Sequence, residues 1–306
     1  MSKRLEVEIA GLKLQNPIML AAGILGMTGA SLLEAIDNGA GAVVTKSVGP
    51  KPQEGYHNPA VVHVNCGLLN AMGLPNPGVH DFAEEIREIK QARAHVPIIV
   101  SVYSFSAEEF AETARVAAKA GADAIELNVS CPHVKKTGSE IGQSPSLVAE
   151  VVKKVKAVAH KPVIVKLTPN VADIVEIAKA GVDAGADAIT AINTLRAMAI
   201  DVETAQPILA NKIGGLSGPA IKPVAVRCVY ELYESVNVPI IGCGGVTTWQ
   251  DAVEFMLAGA SAVQIGTAIA SKGLGVFKSV ANGIDSFLKR KGSGSVKDIV
   301  GLSHRH

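Results

Sequence analysis

The chain has 306 residues, 48% of them apolar and only 4% aromatic, with 30 glycines. That balance fits a large aliphatic core joined by tight turns and excludes a disordered or coiled-coil chain. With 29 Lys plus Arg against 28 Asp plus Glu, no excess charge points to nucleic acid, an anionic membrane or a polyanion.

The N-terminal MSKRLEVEIAGLKLQNP lacks the apolar run of a signal peptide, and no segment reaches the roughly 18 apolar residues of a spanning helix, so a cytoplasmic protein is expected. Within it, VEIAG and LKLQN read as a hairpin over residues 1–15 that caps the floor of whatever follows. Two phrases then alternate along the chain. NPIMLAAG (16–23), VPIIVSVY (96–103), KPVIVKLT (161–168) and VPIIGCGG (238–245) interleave with GAGAVVTK (39–46), GADAIELN (121–128), GADAITAI (185–192) and GASAVQIG (259–266). All eight are short, nearly continuous apolar runs, the pattern of parallel strands covered on both faces. Most are followed by stretches with apolar residues at three and four, from SLLEAIDNG to VFKSVANGIDSFLKRK, which predicts helices lying on a sheet. Glycine before each GAxA run supplies the left-handed residue that ends a helix. Eight alternations predict an α/β fold, a (β/α)8 TIM barrel in one domain over 1–306, with no interdomain linker. Long connections at 49–80, 129–145 and 193–217 all fall on the C-terminal face, where barrel active sites sit.

The strand ends carry polar groups. Lys46, Asn128, Ile192 and Gly266 end the GAxA runs, and Ala22, Ser101, Lys166 and Gly244 stand at matching heights on the other strands. Such a ring suits a flat anionic ligand better than an apolar plug. Gly244-Gly245 and Gly266-Thr267 lie where barrels commonly bind phosphate, although each glycine alone also reads as a tight turn. A strand-end lysine is either a solvated rim charge or a partly desolvated cation that calls for an anion. Cys66, Cys131, Cys228 and Cys243 are scattered without CxxC spacing, so no zinc or iron-sulfur site, and no metal site, is expected in the chain. Most single cysteines are inert small hydrophobes, a reading that suits Cys228 and Cys243. Cys131, in NVSCPHVKKTG three residues past Asn128, is placed to exchange a proton. His133 beside it reads more simply as an exposed loop residue. No HExxH, P-loop, GxSxG or GxGxxG pattern is present.

From Asn16 to about Lys272 the chain resembles the dihydroorotate dehydrogenases, and among them the class 1B catalytic subunit. KSVGPKPQEGYHNP, GLLNAMGLPNPG, ELNVSCPHVKKTG, VKLTPNVADI, AINTLRAMAID, GGLSGPAIKPVA, IIGCGGV and VQIGTA carry the resemblance. It implies one FMN per chain, with Ala22, Gly23, Lys46, Ser47, Ser101, Asn128, Lys166 and Ile192 at its ring and ribityl chain. Gly218, Gly244, Gly245, Gly266 and Thr267 are then expected at its phosphate. It implies a substrate held by Lys46, Asn70, Ala71, Met72, Gly73, Leu74, Asn128, Asn193 and Thr194, and Cys131 as base while hydride passes to the flavin. Two positions depart from the family pattern: Ala22 stands where Ser is usual and Ser101 where Asn is usual. The resemblance further implies a homodimeric core, a separate FAD and iron-sulfur subunit in a two-plus-two heterotetramer, and NAD as final acceptor. The base being Cys, and the lack of an N-terminal amphipathic extension, separate it from the membrane-associated class. A fumarate-linked class 1A enzyme and another FMN barrel acting on pyrimidines, such as a dihydropyrimidine dehydrogenase fragment, are the competing readings, with a non-catalytic flavin-binding subunit behind them.

Overall fold

The computed structural model describes residues 2–130 and 141–305. Eight parallel strands close into a barrel: β1 (Ile18–Leu20), β2 (Ala42–Val44), β3 (Ile98–Val102), β4 (Ala124–Asn128), β5 (Val163–Leu167), β6 (Ala188–Ala191), β7 (Ile240–Cys243) and β8 (Ala260–Ile265), each beside its neighbours in sequence and β8 beside β1. Almost every strand residue is buried, as a sheet covered on one face by helices and filled on the other requires. The expected (β/α)8 fold is therefore the observed one.

The helices are α1 (Gly29–Asp37), α2 (Val79–Ala92), α3 (Ala107–Ala120), α4 (Pro145–Ala159), α5 (Ile174–Asp183), α6 (Lys222–Tyr233), α7 (Trp249–Leu257) and α8 (Val276–Lys291). The sequence reading names no helical stretch between the connection at 49–80 and β3, where α2 lies. Its signal is nonetheless present, with Val79, Phe82, Ala83, Ile86 and Ile89 buried at helical spacing between six charged side chains.

The recurrent GADA phrase has a structural cause. Gly121, at φ 114°, caps α3 in the left-handed region that a side chain disfavours, and turns the chain into β4. The aspartate that follows accepts a hydrogen bond from the backbone N–H opening a neighbouring strand: Asp123 from Ile98 at 2.8 Å, Asp187 from Val163 at 2.7 Å. Each is also paired with a lysine, Lys90 and Lys156. These bonds pin the strand entrances at the floor, where Val7–Ile9 and Leu12–Leu14 form the expected antiparallel hairpin.

The mouth differs from the sequence reading. The connections after β2 and β6 are not open loops but share a four-stranded antiparallel sheet, in the order Leu195–Met198, Ile213–Ser217, Gly67–Asn70, Val61–Val64. It forms a roof beside the strand tips. Among the described residues no helix is long and apolar enough to cross a membrane, and no group of three or more His, Cys, Asp or Glu could hold a metal ion.

Candidate active site

A cavity of about 360 Å³ opens at the C-terminal ends of the strands, under the roof. One half of its wall is backbone. The tips of β7 and β8 contribute Gly244, Gly245, Gly266 and Thr267, and Gly218 joins them from the roof. Gly245 has φ 80°, and a Cβ there would lie 2.7 Å from Lys222 Cβ and 2.9 Å from the Gly218 carbonyl oxygen, so this position of the cradle admits no side chain. Among the described residues no backbone carbonyl accepts from the N–H groups of Gly244, Gly245, Gly266 or Thr267. Four donors thus converge on one end of the cavity, next to the short helix Ala268–Lys272, as an oxyanion requires.

Asp251 anchors this half from behind. Its Oδ2 accepts from the N–H and hydroxyl groups of both Thr247 and Thr248 at 2.8–3.0 Å, and its Oδ1 accepts from Lys222 Nζ at 2.8 Å. Burial by itself raises the Asp251 carboxyl, but these donors outweigh it and bring the pKa down to about 2.

The other half is made of side chains. Lys46, at the end of β2, is 7% exposed and donates only to the Gly23 carbonyl oxygen at 3.4 Å, with no carboxylate beside it among the described residues. Burial pushes its ammonium below the usual lysine value. Asn193 donates to Asn128 Oδ1 at 3.2 Å, and Asn128 donates to Ser47 Oγ at 3.0 Å. The amides are thereby oriented toward the cavity that both line. Asn70, Met72, Leu74, Ile192 and Thr194 complete this side, with Ala22 and Gly23 at the tip of β1.

Lys166 enters from β5 with different company. Its Nζ donates to Gln264 Oε1 at 3.0 Å and lies 3.6 Å from Glu126 Oε1. Burial, the largest single influence, opposes its charge, but Glu126 and Cys243 together outweigh it and the pKa stands above the usual lysine value.

Three residues expected at the site are not on the cavity wall. Ser101 is fully buried behind Ser47, whose hydroxyl it meets at 2.9 Å; its side chain is too short to pass that neighbour. Ala71 packs into a small cluster with Leu69 and Leu209. Gly73 faces Tyr56, and its carbonyl accepts from Gln53 at 2.6 Å. Cys131 and His133 lie outside the described residues; Ser130, just before them, donates its N–H to Asn128 Oδ1 at 3.4 Å. Glu126, Gln264 and Thr190 were missed by sequence reasoning, although a charge and an amide inside apolar strand phrases are the signal that marks them.

The family model for dihydroorotate dehydrogenase matches residues 4–288. The chain belongs to the dihydroorotate dehydrogenase family. Among its relatives, the protein described as dihydroorotate dehydrogenase B (NAD(+)), catalytic subunit, from Pyrococcus abyssi is 54% identical over 98% of this chain and 99% of its own length. Proteins of the same description from Pyrococcus furiosus and Methanosarcina mazei are 53% and 52% identical, over 98% and 97% of this chain and 99% and 94% of theirs. As a dihydroorotate dehydrogenase the chain is an oxidoreductase, and the family implies a flavin. The residues present fit such a group: a glycine-rich cradle of N–H donors at one end, and two buried lysines toward the other.

Proposed function

We propose that the chain, as a single barrel domain, oxidises (S)-dihydroorotate to orotate in the de novo synthesis of pyrimidine nucleotides, with one FMN in the cavity at the mouth. The reading is carried by Lys46, a buried cation with no carboxylate among the described residues, facing a cavity that it shares with Asn128 and Asn193. A carboxylate-bearing imide ring answers both needs: the carboxylate meets Lys46, and the asparagines supply donors and acceptors for the ring edge. Asn70 and Thr194 stand on the same wall. Gly244, Gly245, Gly266 and Thr267 are the phosphate donors in this reading, with Gly218 beside them, and Lys166 presents the positive end of its pair with Glu126 at the base of the cavity.

Bound FMN supplies the two-electron acceptor for the hydride leaving carbon 6 of the substrate. Cys131 takes the proton from carbon 5. Electrons pass on to a separate FAD and iron-sulfur subunit and then to NAD, in a cytoplasmic assembly of two such partners on a homodimeric core. The description that the relatives share, an NAD(+)-linked catalytic subunit, supports this arrangement.

The test is anaerobic bleaching of FMN-reconstituted protein. Dihydroorotate is expected to reduce the flavin, and Cys131→Ala to slow that reduction by about 100- to 10,000-fold, the usual contribution of a general base. A Cys131→Ala protein that reduces at the parent rate overturns the base assignment. Bleaching by reduced uracil or thymine bases, with none by dihydroorotate, overturns the substrate. Since a free thiol titrates near 8.5, the parent rate should climb above neutrality, and a flat profile from pH 6 to 9 with chemistry limiting counts against a thiolate base.

A further inference from the structure

Barrel interiors are ordinarily packed with branched apolar side chains, yet beneath this cavity Glu126, Gln264 and Lys166 from three strands close a polar ring, and Thr190 joins it from a fourth. Glu126 of β4 has no exposed surface. Its Oε2 accepts from Thr190 Oγ1 of β6 at 3.0 Å and from Gln264 Nε2 of β8 at 2.8 Å, while its Oε1 makes no hydrogen bond and faces Lys166 Nζ of β5 at 3.6 Å. The bridging amide fixes the charges. Lysine only donates, so Gln264 presents its oxygen to Lys166 at 3.0 Å and turns its NH2 toward Glu126, which therefore accepts. A proton on Oε1 would point at a cation with nowhere to go. The ring thus joins a buried carboxylate to a buried ammonium, and only the ammonium reaches the cavity wall.

We propose that Glu126 is a positioning residue that keeps Lys166 charged and fixed while cancelling most of its charge, and so sets how much more tightly the cavity holds its ligand once that ligand has gained electrons. The inference rests on the flavin reading above. With both groups ionised the pair is neutral overall, and the cavity sees a dipole rather than a full cation. Without Glu126, Lys166 has two states. When protonated it presents an uncompensated charge that favours an electron-rich ligand; at higher pH it sheds a proton that burial makes costly, and the site returns to neutrality. Among the described residues the other titratable groups on this wall are Lys46 from β2 and Cys243 from β7. Burial pushes the Cys243 thiol up against the pull of Lys166, so it stays protonated over most of the range below.

The experiment uses the full chain reconstituted with FMN, reduced at equilibrium against a reference dye from pH 6 to 9.5. Glu126→Gln is expected to raise the ratio of reduced to oxidised FMN affinity tenfold or more at pH 6, about 30 mV for a two-electron couple, and to converge on the parent as pH rises. Glu126→Asp, which keeps the charge, should follow the parent. A Gln variant whose curve lies on the parent's at every pH overturns the proposal, since a purely structural role shifts stability and not this ratio. Lysine Nζ resonances of the parent without FMN give a readout that needs neither the variant nor the flavin: Lys166 is expected charged through pH 9.5, and a neutral Lys166 at pH 8 overturns the ion pair. Failure of the parent to bind FMN removes the flavin reading, while the lysine resonances still decide the ion pair.

Discussion

The two halves of the barrel mouth solve ligand recognition differently. Around β7 and β8 the wall is glycine backbone, held from behind by Asp251 and carrying no charged side chain of its own. Around β2, β4 and β5 it is made of lysines and asparagines whose charge and orientation are tuned by neighbours. The first half senses shape and offers N–H groups that substitutions other than proline displace rather than remove; the second depends on the chemistry of individual side chains. Substitutions in the two halves should therefore fail in different ways, sterically on one side and electrostatically on the other.

Lys46→Met should give the largest effect. Truncating a buried charged partner costs about 2–5 kcal/mol, so orotate is expected to bind roughly 30- to 5,000-fold more weakly by equilibrium titration. The ligand-free variant should melt no lower than the parent, because an unpaired buried cation is itself a cost. The sign of its pH dependence follows from the lowered Lys46 pKa. Between that value and the model-compound value of 10.5 the unfolded chain binds more protons, so parent stability gains on the variant as pH rises through that window. A melting point that drops at neutral pH would break the contrast between the halves.

Gly245→Ala comes next. With φ 80° and a contact of 2.7 Å to be relieved, it should cost about 1–3 kcal/mol of local strain, weakening FMN roughly 10- to 100-fold while leaving orotate affinity of the loaded protein near that of the parent.

Asp251→Asn should act through stability. Its folded pKa of about 2 lies below the unfolded value of 3.8, so the carboxylate stabilises the fold above pH 3.8 and that contribution is lost as pH falls through 2. Urea unfolding should find the variant about 1.5–3 kcal/mol weaker at pH 7, with the gap narrowing between pH 4 and 2. Thr190→Val is the mildest, since it removes one of two donors to Glu126 Oε2. About 1 kcal/mol of stability is expected to go, with the FMN phosphate half untouched.

What could be read from the sequence follows the same division. The barrel strands were legible because a doubly covered parallel strand announces itself as an unbroken apolar run, as in KPVIVKLT and GADAIELN. The glycine tips were legible for a related reason, since Gly244-Gly245 and Gly266 directly follow such runs. The roof was not. Its strands VVHV, GLLN, LRAM and IGGLS are short, half exposed and rich in glycine, and they are strands only because they pair with each other across distant connections. Residue-level roles also depend on neighbours that no local pattern reveals: Ser101 stands behind Ser47, and Lys46 and Lys166 look alike in sequence although, among the described residues, only Lys166 has a carboxylate nearby.

The roof sheet also bears on how the molecule is made. Asn70 and Gly215 are 145 residues apart along the chain, yet their strands are neighbours. A growing chain emerging from the ribosome must wait until six barrel strands have been synthesised before that hairpin finds its mate, and closure over such a distance is slow. Leu68 and Leu69, buried in the finished protein, stay uncovered until then. The ligand chamber is thus among the last features acquired, so an incomplete chain has no chamber in which to trap a cofactor.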